Sequence, residues 1–465
     1  MSSVEVVYGE GWCAVRRAVV SPMSEGEARR RHTAGDPYAV VLRAGGQPLA
    51  ELRIAGRSGY VGLLLFDAHG RRHREYDYVE LRRGRLHLRR HRQWLYRTPD
   101  EAEQSEQAAH FTLTIEADGR TRRSLDHRGL FETSTHLSAE HRSLPLADFG
   151  EWTGYVDADL LGLPGPLALV PAPAPETDGQ AGGAPLWSPP APLAPGHLEA
   201  LFVPGSRFTS DDEPVTVIEP EAAGNLRLPT GRVIVADPSV LSARDEPLTV
   251  SVPPGTYPLV LGKVEIRSEW DGEEMTWEQI TAAMLVVGDR RPAATWEPAL
   301  LPGQEPRLLG DRQYYGFGVD SGTGAFLDIA ARDALVADRN AGADLATAVG
   351  GEVTCPEFRD PASGANAIAF PSGDGDGSYP VWIGRDHDGE VTCLIADMLT
   401  VDSRHPLPPT EESTAVVLTS SAPPADVPLP ATAPPAETAL LFAELLAATV
   451  AMARRPLPGQ GQGAK

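Results

Sequence analysis

Short apolar stretches alternate with glycine, aspartate and proline along much of the chain, and this pattern predicts strands more often than helices. An acid-to-base run at 24–31 predicts one helix before the first strands. Stretches this short, joined by tight turns, are typical of a sandwich or a curved sheet. In the first 160 residues the predicted strands lie at 38–43, 49–54, 60–66 and 111–115.

A second series of apolar stretches lies in the central part of the chain. It predicts strands at 232–236 and 280–287, and a hairpin over 381–397 that turns at Asp388-Gly389. Residues 327–337 carry apolar side chains at helical spacing, so they predict a helix. We therefore expect a mostly β protein with β-sandwich-like sheets, a few helices and α+β character.

Two proline-rich stretches divide the chain. Ten prolines fall within 164–195 and nine fall within 406–435, and neither stretch has helical or strand periodicity. Both are interpreted as extended connectors. The predicted organisation is two domains plus a C-terminal helix: an N-terminal β-rich domain 1–160, a linker 161–197, a central β-rich domain 198–405, a linker 406–436, a helix 437–455 and a disordered tail 456–465.

Composition narrows the class of protein without naming a reaction. The chain has 465 residues and a formal net charge of −23, and this charge opposes nucleic-acid binding. Three cysteines cannot form a disulfide framework, which fits a reducing compartment. No apolar stretch reaches about 18 residues, and the N-terminus does not look like a signal peptide. We expect a cytoplasmic protein that binds neither membrane nor nucleic acid, of undefined oligomeric state.

The segment 316–328 places carboxylates beside a tight turn. Asp320 follows a short apolar strand and precedes Ser-Gly-Thr-Gly, where glycines let the backbone turn sharply and approach a ligand closely. Asp328 lies eight residues further on. A carboxylate at such a turn can bind a metal, act as a base or accept a hydrogen bond from a substrate. Asp320 and Asp328 are therefore candidate catalytic residues.

The segment 371–379 alternates acidic and hydroxyl side chains with three glycines. Such a loop can surround a hard cation, present N–H groups to an anion, or serve only as a turn. We expect it to converge with 316–328 at one end of the central domain and form a ligand pocket. The predicted ligand-binding residues are Ser372, Asp374, Asp376, Tyr379 and Trp382, with Asp374 and Asp376 as candidate metal ligands and Asp376 as a third catalytic candidate.

Residues 82–97 combine seven arginines with two histidines, a tryptophan and a tyrosine. Arginines among aromatic residues are typical of a phosphate-binding or nucleic-acid-binding surface. The acidic chain as a whole instead favours a solvated sheet face, or a patch that pairs with the acidic central block. Arg89, Arg90 and Arg92 are the candidate partner-binding residues.

The central region resembles a bacterial family known as the domain of unknown function 4241. The resemblance rests on 231–238, 318–328 and 370–380, with Asp397 at the end of the next strand, and it spans roughly 200–400. That family has no established activity, so the resemblance implies only where a domain lies. The N-terminal region resembles no family that we can name.

No complete catalytic constellation is visible in the sequence. The leading hypothesis is therefore a ligand-binding or protein-interaction module, with a protein or a small ligand as its partner and no cofactor. One alternative is a metal-assisted hydrolase that uses Asp320, Asp328 and Asp376 with a divalent cation. The other is an adaptor that binds an acidic or phosphorylated partner through 82–97.

Overall fold

The structure is a computed structural model, and it describes residues 2–126, 130–173, 187–270, 273–288, 292–338, 340–349 and 355–408. Within these residues the protein is mostly β with a few helices, which confirms the predicted fold class. The predicted linker 406–436 beyond residue 408, the helix 437–455 and the tail 456–465 lie outside the described residues.

Two compact units make up the chain. The first comprises 1–192 and 303–313, and the second comprises 193–302 and 314–465. The chain therefore leaves the second unit once and returns to it. Sequence patterning does not reveal this excursion, because 303–313 is too short to carry a periodic signal of its own.

One large sheet forms the first unit. Its strand order is β11-β10-β9-β8-β7-β6-β5-β4-β1-β13, with β12 paired to β8 and a separate β2–β3 ribbon. The elements are β1 (Ser2–Gly9), β2 (Gly11–Cys13), β3 (Ala18–Val20), α1 (Glu25–Ala34), β4 (Tyr38–Ala44), β5 (Gln47–Ala55), β6 (Tyr60–Phe66), β7 (Arg72–Arg82), β8 (Arg85–Leu95), β9 (Ala109–Ile115), β10 (Arg120–Asp126), β11 (Leu130–His136), α2 (Ala139–Arg142), β12 (Ser143–Pro145) and β13 (Leu167–Pro171).

Part of the predicted linker 161–197 belongs to this sheet. Strand β13 pairs in parallel with β1, and Leu161, Leu163, Leu167 and Leu169 pack against the apolar core of the first unit. Burial of these leucines favours docking of the segment on the core, and prolines are tolerated on an edge strand because its outer N–H groups need no partner. The prediction of a connector rested on the number of prolines and did not consider the spacing of the leucines.

The second unit stacks two sheets, and a pair of helices covers the smaller one. The larger sheet has the order β14-β15-β18-β19-β26-β25-β20, with β16 on β18 and β21 on β25, and the smaller has the order β17-β22-β24-β23. The elements are β14 (Arg207–Ser210), β15 (Glu213–Val217), β16 (Glu221–Leu228), β17 (Val233–Ala236), β18 (Gly255–Trp270), β19 (Glu273–Val286), β20 (Thr295–Pro298), β21 (Gly316–Val319), β22 (Thr323–Asp328), α3 (Ile329–Ala337), α4 (Ala341–Ala348), β23 (Glu357–Arg359), β24 (Asn366–Pro371), β25 (Gly377–Arg385) and β26 (Val391–Asp397).

The main core of the second unit lies between its two sheets. Leu261 and Leu285 of the larger sheet face Phe326 and Phe370 of the smaller one in a single apolar cluster. On the outer face of the smaller sheet, Ala325 and its neighbours pack against α3 and α4. The predicted sandwich is thus present, with the added helical layer that gives α+β character.

Candidate functional site

The two predicted loop segments meet at one end of the second unit. The backbone N–H of Gly322 donates to Oδ1 of Asp376 at 3.1 Å, and the N–H of Ser372 donates to the carbonyl of Gly322 at 3.1 Å. The predicted convergence is therefore confirmed.

Strand pairing explains why these loops come together. β17 and β24 both lie antiparallel to β22, so Ala236 pairs with Ala325 and Thr323 pairs with Pro371. The ends of β17 and β24 and the beginning of β22 therefore share one edge of the small sheet. The turn between β24 and β25 also needs glycine, because Gly373 has φ 67° and a side chain there would meet Thr400 Cγ2 at 2.6 Å.

Asp237 is the buried carboxylate that organises this edge. It is 1% exposed, and its Oδ2 accepts the N–H groups of Asp320 and Ser321, both at 2.8 Å. Its Oδ1 accepts the Ser321 hydroxyl at 2.9 Å and the Ser239 N–H at 2.7 Å. Burial opposes ionisation of Asp237, but these donors outweigh it and hold its pKa below the ordinary value.

The three predicted acidic residues of the loops remain at the surface. Asp320, Asp374 and Asp376 are all exposed. Asp374 accepts a hydrogen bond from the Gln279 amide of β19, and Asp376 closes the loop pair through Gly322. Their predicted contact with a ligand stays a prediction.

Ser372 and Tyr379 support the loop from below. Ser372 is 1% exposed and donates its hydroxyl to the Gly375 carbonyl at 2.9 Å. Tyr379 is 6% exposed, and its hydroxyl donates to the same carbonyl at 2.7 Å. Both side chains therefore shape the turn, whereas the sequence analysis placed them on a pocket surface.

Asp328 does not belong to this site, so its predicted catalytic role beside Asp320 is wrong. It is fully buried and caps α3 by accepting the Ala330 N–H at 2.8 Å, while Thr230 donates its N–H and hydroxyl to the same carboxylate. It also ends β22, which begins at Thr323, so about 16 Å of strand at ~3.3 Å per residue separates it from the loop. The length of β22 therefore keeps the Asp328 carboxylate away from that of Asp320.

Trp382, a predicted ligand-binding residue, lies on the opposite side of its sheet from Tyr379. Successive strand residues face opposite sides of a sheet, and these two residues are three apart. Tyr379 joins the core between the sheets, whereas Trp382 is 2% exposed and joins the core on the other side of the larger sheet.

Asp397 is a second buried carboxylate, at the end of β26. It is 3% exposed, and burial raises its pKa to about 6, although the Leu399 N–H donates to it at 3.0 Å and favours the ionised form. Desolvation dominates because this donor replaces water incompletely.

The acidic residues do not assemble a metal site. Across the described ranges, no three histidine, cysteine, aspartate or glutamate side chains lie close enough together to hold a metal ion. Asp374 and Asp376 thus lack a third protein ligand, and the trio proposed for a metal-assisted hydrolase is dispersed. The geometry gives the hydrolase alternative no support.

A cleft of about 270 Å³ opens beside the 371–379 loop. Trp277 is 42% exposed there, and Gln279 links the cleft to the loop through Asp374. The pocket predicted from the sequence was to be shared by both loops, but only the second loop contributes to this cleft. Its lining consists of Glu221, Lys263, Trp277, Glu278, Gln279, Ile280, Pro371 and Gly373.

Lys263 is the cation of this cleft. Its Nζ donates to Glu278 at 2.8 Å and to Glu221 at 3.2 Å. Burial alone would lower the pKa of Lys263, but the bonds to Glu278 and Glu221 raise it above the ordinary value. The side chain is therefore an ammonium at neutral pH. The sequence contains only one other lysine, Lys465.

A larger cleft of about 540 Å³ lies at the other end of β25. Its polar groups mostly maintain the predicted hairpin turn: Asp386 accepts the N–H groups of Asp388 and Glu390, while Arg385 binds Glu297 and the Gly389 carbonyl. Tyr257 donates its hydroxyl to Pro253.

Arg89, Arg90 and Arg92, the three predicted partner-binding arginines, form a network with acidic residues. Arg89 is 4% exposed, lies 3.4 Å from Asp77 and donates to the Leu308 carbonyl at 3.1 Å, so the prediction that it lies on the surface is wrong. Arg90 pairs with Asp77 at 2.6 Å, and Arg92 pairs with Glu75 at 2.7 Å. Burial opposes ionisation of Asp77, but Arg90 and Arg89 outweigh it and lower its pKa.

A β-bulge explains the error at Arg89. Tyr78 pairs with Leu88 and Asp77 pairs with Arg90, so Arg89 is the extra residue. The bulge interrupts the alternation of the strand and places Arg89 among buried groups. Arg89, Arg90 and Arg92 thus pair with acidic residues of the neighbouring strand β7, whereas the expected pairing with the acidic central block stays a prediction.

Sequence reasoning missed Asp237 and the cleft residues Lys263, Trp277 and Gln279. Asp237 was not singled out, although it lies within one of the segments that carry the family resemblance. Lys263 carried a compositional signal, because lysine is so rare in this chain. Trp277 carried none, since its partner loop is almost a hundred residues away.

A β-rich domain with a loop end built around a buried carboxylate is the class that this fold and site define. Residues 226–396 match the model of a family described as a protein of unknown function (DUF4241). That match confirms the resemblance of the central region, and the N-terminal region has no family match. No curated protein and no solved structure matches the chain. No helix among the described residues is long and apolar enough to cross a membrane.

The arginine network predicts unequal costs for two neighbouring substitutions. Arg89→Ala should lower the free energy of unfolding by about 2–4 kcal/mol, because it weakens a buried ion pair and removes the bond to Leu308. Arg92→Ala, whose side chain is 32% exposed, should cost less than about 1 kcal/mol. Urea denaturation followed by circular dichroism compares them, and equal costs would contradict the network.

Asp237 should be far more sensitive to substitution than Asp320. In Asp237→Asn, the new amide N–H₂ faces N–H donors and leaves at least one of them without an acceptor, which costs about 1–3 kcal/mol. Asp320→Asn changes an exposed side chain and should stay within about 0.5 kcal/mol. Thermal and urea melts of both variants check this, and a neutral Asp237→Asn would remove its organising role.

Substitution of Asp397 should increase the stability of the protein in a pH-dependent way. Its folded pKa exceeds its unfolded pKa, so the fold binds the extra proton at low pH, and stability is lost as pH rises through about 6. Asp397→Asn removes that loss. Between pH 4 and pH 7.5 the variant should gain about 3 kcal/mol relative to wild type. Urea denaturation at both pH values measures the change, and a pH-independent difference would refute it.

Proposed function

We propose that the second unit is a ligand-binding module and that its site is the 270 Å³ cleft beside the 371–379 loop. The carrying observation is a single concavity whose lining includes the ammonium of Lys263, the two carboxylates that pair with it and two residues of the 371–379 loop. Small-molecule sites are usually concave and contain a few convergent polar groups.

The neighbouring loops support this proposal by fixing one side of the cleft. Pro371 and Gly373 line it, and Met398 and Thr400 lie so close to Gly373 that a side chain at this position would clash with them. Asp374 holds Gln279 in place. A wall built in this way needs little ordering when a ligand binds, and preorganisation reduces the free-energy cost of binding.

The size of the cleft indicates a small ligand. Its volume lies just under the range of roughly 300–1,000 Å³ typical of drug-sized sites. A molecule built around one ring, or one side chain of a partner protein, matches this size. The free small molecule is the simpler hypothesis, because a partner protein would need further surface to bind.

Ligand-observed NMR with a library of small fragments tests the proposal. At least one fragment should bind the wild-type protein, and Lys263→Met should weaken it by about tenfold, equivalent to about 1.4 kcal/mol of lost contact. Arg267→Met is the matched control, since Arg267 is 69% exposed on the same strand but does not line the cleft. If no fragment distinguishes the two variants, the cleft is not a binding site.

A further inference from the structure

We infer that the first unit carries a docking surface for an acidic peptide segment of a partner protein, on one face of the outer strands of its sheet. This inference concerns a different unit from the cleft and does not depend on it. The surface, called here the Arg74 face, consists of Arg74, Tyr76, His91, Gln93, Phe111, Leu113 and Arg123.

The sheet register places these side chains together. Tyr76 of β7 pairs with His91 of β8, and His91 pairs with Leu113 of β9. Leu113 pairs in turn with Arg123 of β10. Directly opposite residues of antiparallel strands project to the same side of a sheet, so this row shares one face. Arg74 lies two residues before Tyr76 on the same strand and therefore projects to that face as well.

The two arginines of this face lack a carboxylate partner. Among the described residues, neither Arg74 nor Arg123 forms an ion pair. Nε of Arg74 is buried without a hydrogen-bond partner, and Nε2 of the neighbouring His91 is also buried without one. Partial burial of a cation without a counter-charge costs free energy, so a partner's carboxylate gains more here than at a compensated site.

The opposite face of the same strands carries compensated arginines. There Arg90 pairs with Asp77 at 2.6 Å, and Arg92 pairs with Glu75 at 2.7 Å. A partner's carboxylate would have to displace those acids, whereas it meets no such competitor at Arg74. The anionic partner that the sequence predicted for this hairpin therefore fits the other side of the sheet.

Partly exposed rings lie between the two arginines. Tyr76 stacks on His91 with ring centroids 4.4 Å apart, and Phe111 meets His91 in a T-shaped arrangement at 5.9 Å. These rings and Leu113 remain partly exposed, whereas the same face of β5 is covered by the core of the first unit, as at Leu52. Open apolar surface of this kind is what the apolar side chains of a partner can bury.

The separation of the charges favours a peptide over a small molecule. The backbones of Arg74 and Arg123 are about 16 Å apart, from three strand spacings of ~4.8 Å and two residues of ~3.3 Å. An extended segment covers that distance with about five residues, so acids about four to six residues apart can flank apolar side chains over the rings. Nucleic acid also combines anions with rings, but the net charge of −23 opposes it.

Selection from a display library of random twelve-residue peptides tests the surface. The full chain is the bait, and the double variant Arg74→Gln/Arg123→Gln removes peptides that bind elsewhere. Enriched peptides should carry acidic residues on both sides of an apolar or aromatic residue. Their affinity, measured by fluorescence polarisation, should fall at least threefold between 50 and 500 mM NaCl, because salt screens charge pairs.

Neighbouring arginines of β10 provide the matched comparison. Arg123→Gln should weaken the selected peptides at least fivefold, whereas Arg122→Gln should leave their affinity unchanged. Arg122 is also exposed but projects to the other face, since it pairs with Thr114. Arg74→Gln should weaken binding at least fivefold as well, and urea denaturation should show no loss of stability, because the buried Nε of Arg74 has no partner to lose.

Two kinds of result overturn the inference. One is a selection that enriches no acidic peptide, or peptides that bind the Arg122 and Arg123 variants equally. The other is tighter binding of a twelve-residue oligothymidylate than of any selected peptide, which would assign the face to nucleic acid instead. Neither result affects the proposed cleft, whose test is Lys263→Met.

Discussion

The carboxylate of Asp237 is the interaction on which the loop end of the central unit depends. It gathers backbone N–H groups from Asp320 and Ser321, which follow a different strand more than eighty residues later in the chain. A buried acceptor that satisfies several otherwise orphaned donors fixes the backbone more strictly than apolar packing does, because each unmade bond carries a desolvation cost. The second loop then attaches to the first through Gly322 and Asp376.

This constraint indicates a structural role for side chains of the glycine- and aspartate-rich segments. Such segments combine flexible backbone with polar side chains, so they resemble ligand loops, yet here Ser372 and Tyr379 are used to hold the turn. The open hydrogen-bonding groups lie instead on the neighbouring strands, at Lys263 and Gln279. The loop supports one side of the cleft, and the adjoining strands carry the open polar groups of the proposed site.

The difference between what the sequence predicted and what it missed follows from the range of the interactions. Strands such as β4 and β6, the hairpin turn at Asp388 and the helix α3 depend on local alternation and turn chemistry, so the pattern of residues was sufficient. The convergence of the two loops was predicted because both interrupt strands of one domain. The inward turn of Arg89, the cap formed by Asp328 and the placement of Trp277 depend on bulges, on the length of a strand and on a distant partner, and no local pattern encodes these.

Both units pair carboxylates with cationic side chains, but the cations differ. In the first unit, the planar guanidinium groups of Arg89 and Arg90 both contact one buried carboxylate, Asp77, and lower its pKa. These two positive charges therefore stabilise the fold. In the cleft, one compact ammonium is shared by two partly exposed carboxylates and keeps an N–H donor in reserve. A guanidinium fork at Lys263 would favour a bidentate pair with one glutamate and a fixed direction for its remaining donors. The rare lysine in an arginine-rich chain therefore pairs with both glutamates of the cleft and still has an N–H group left to donate.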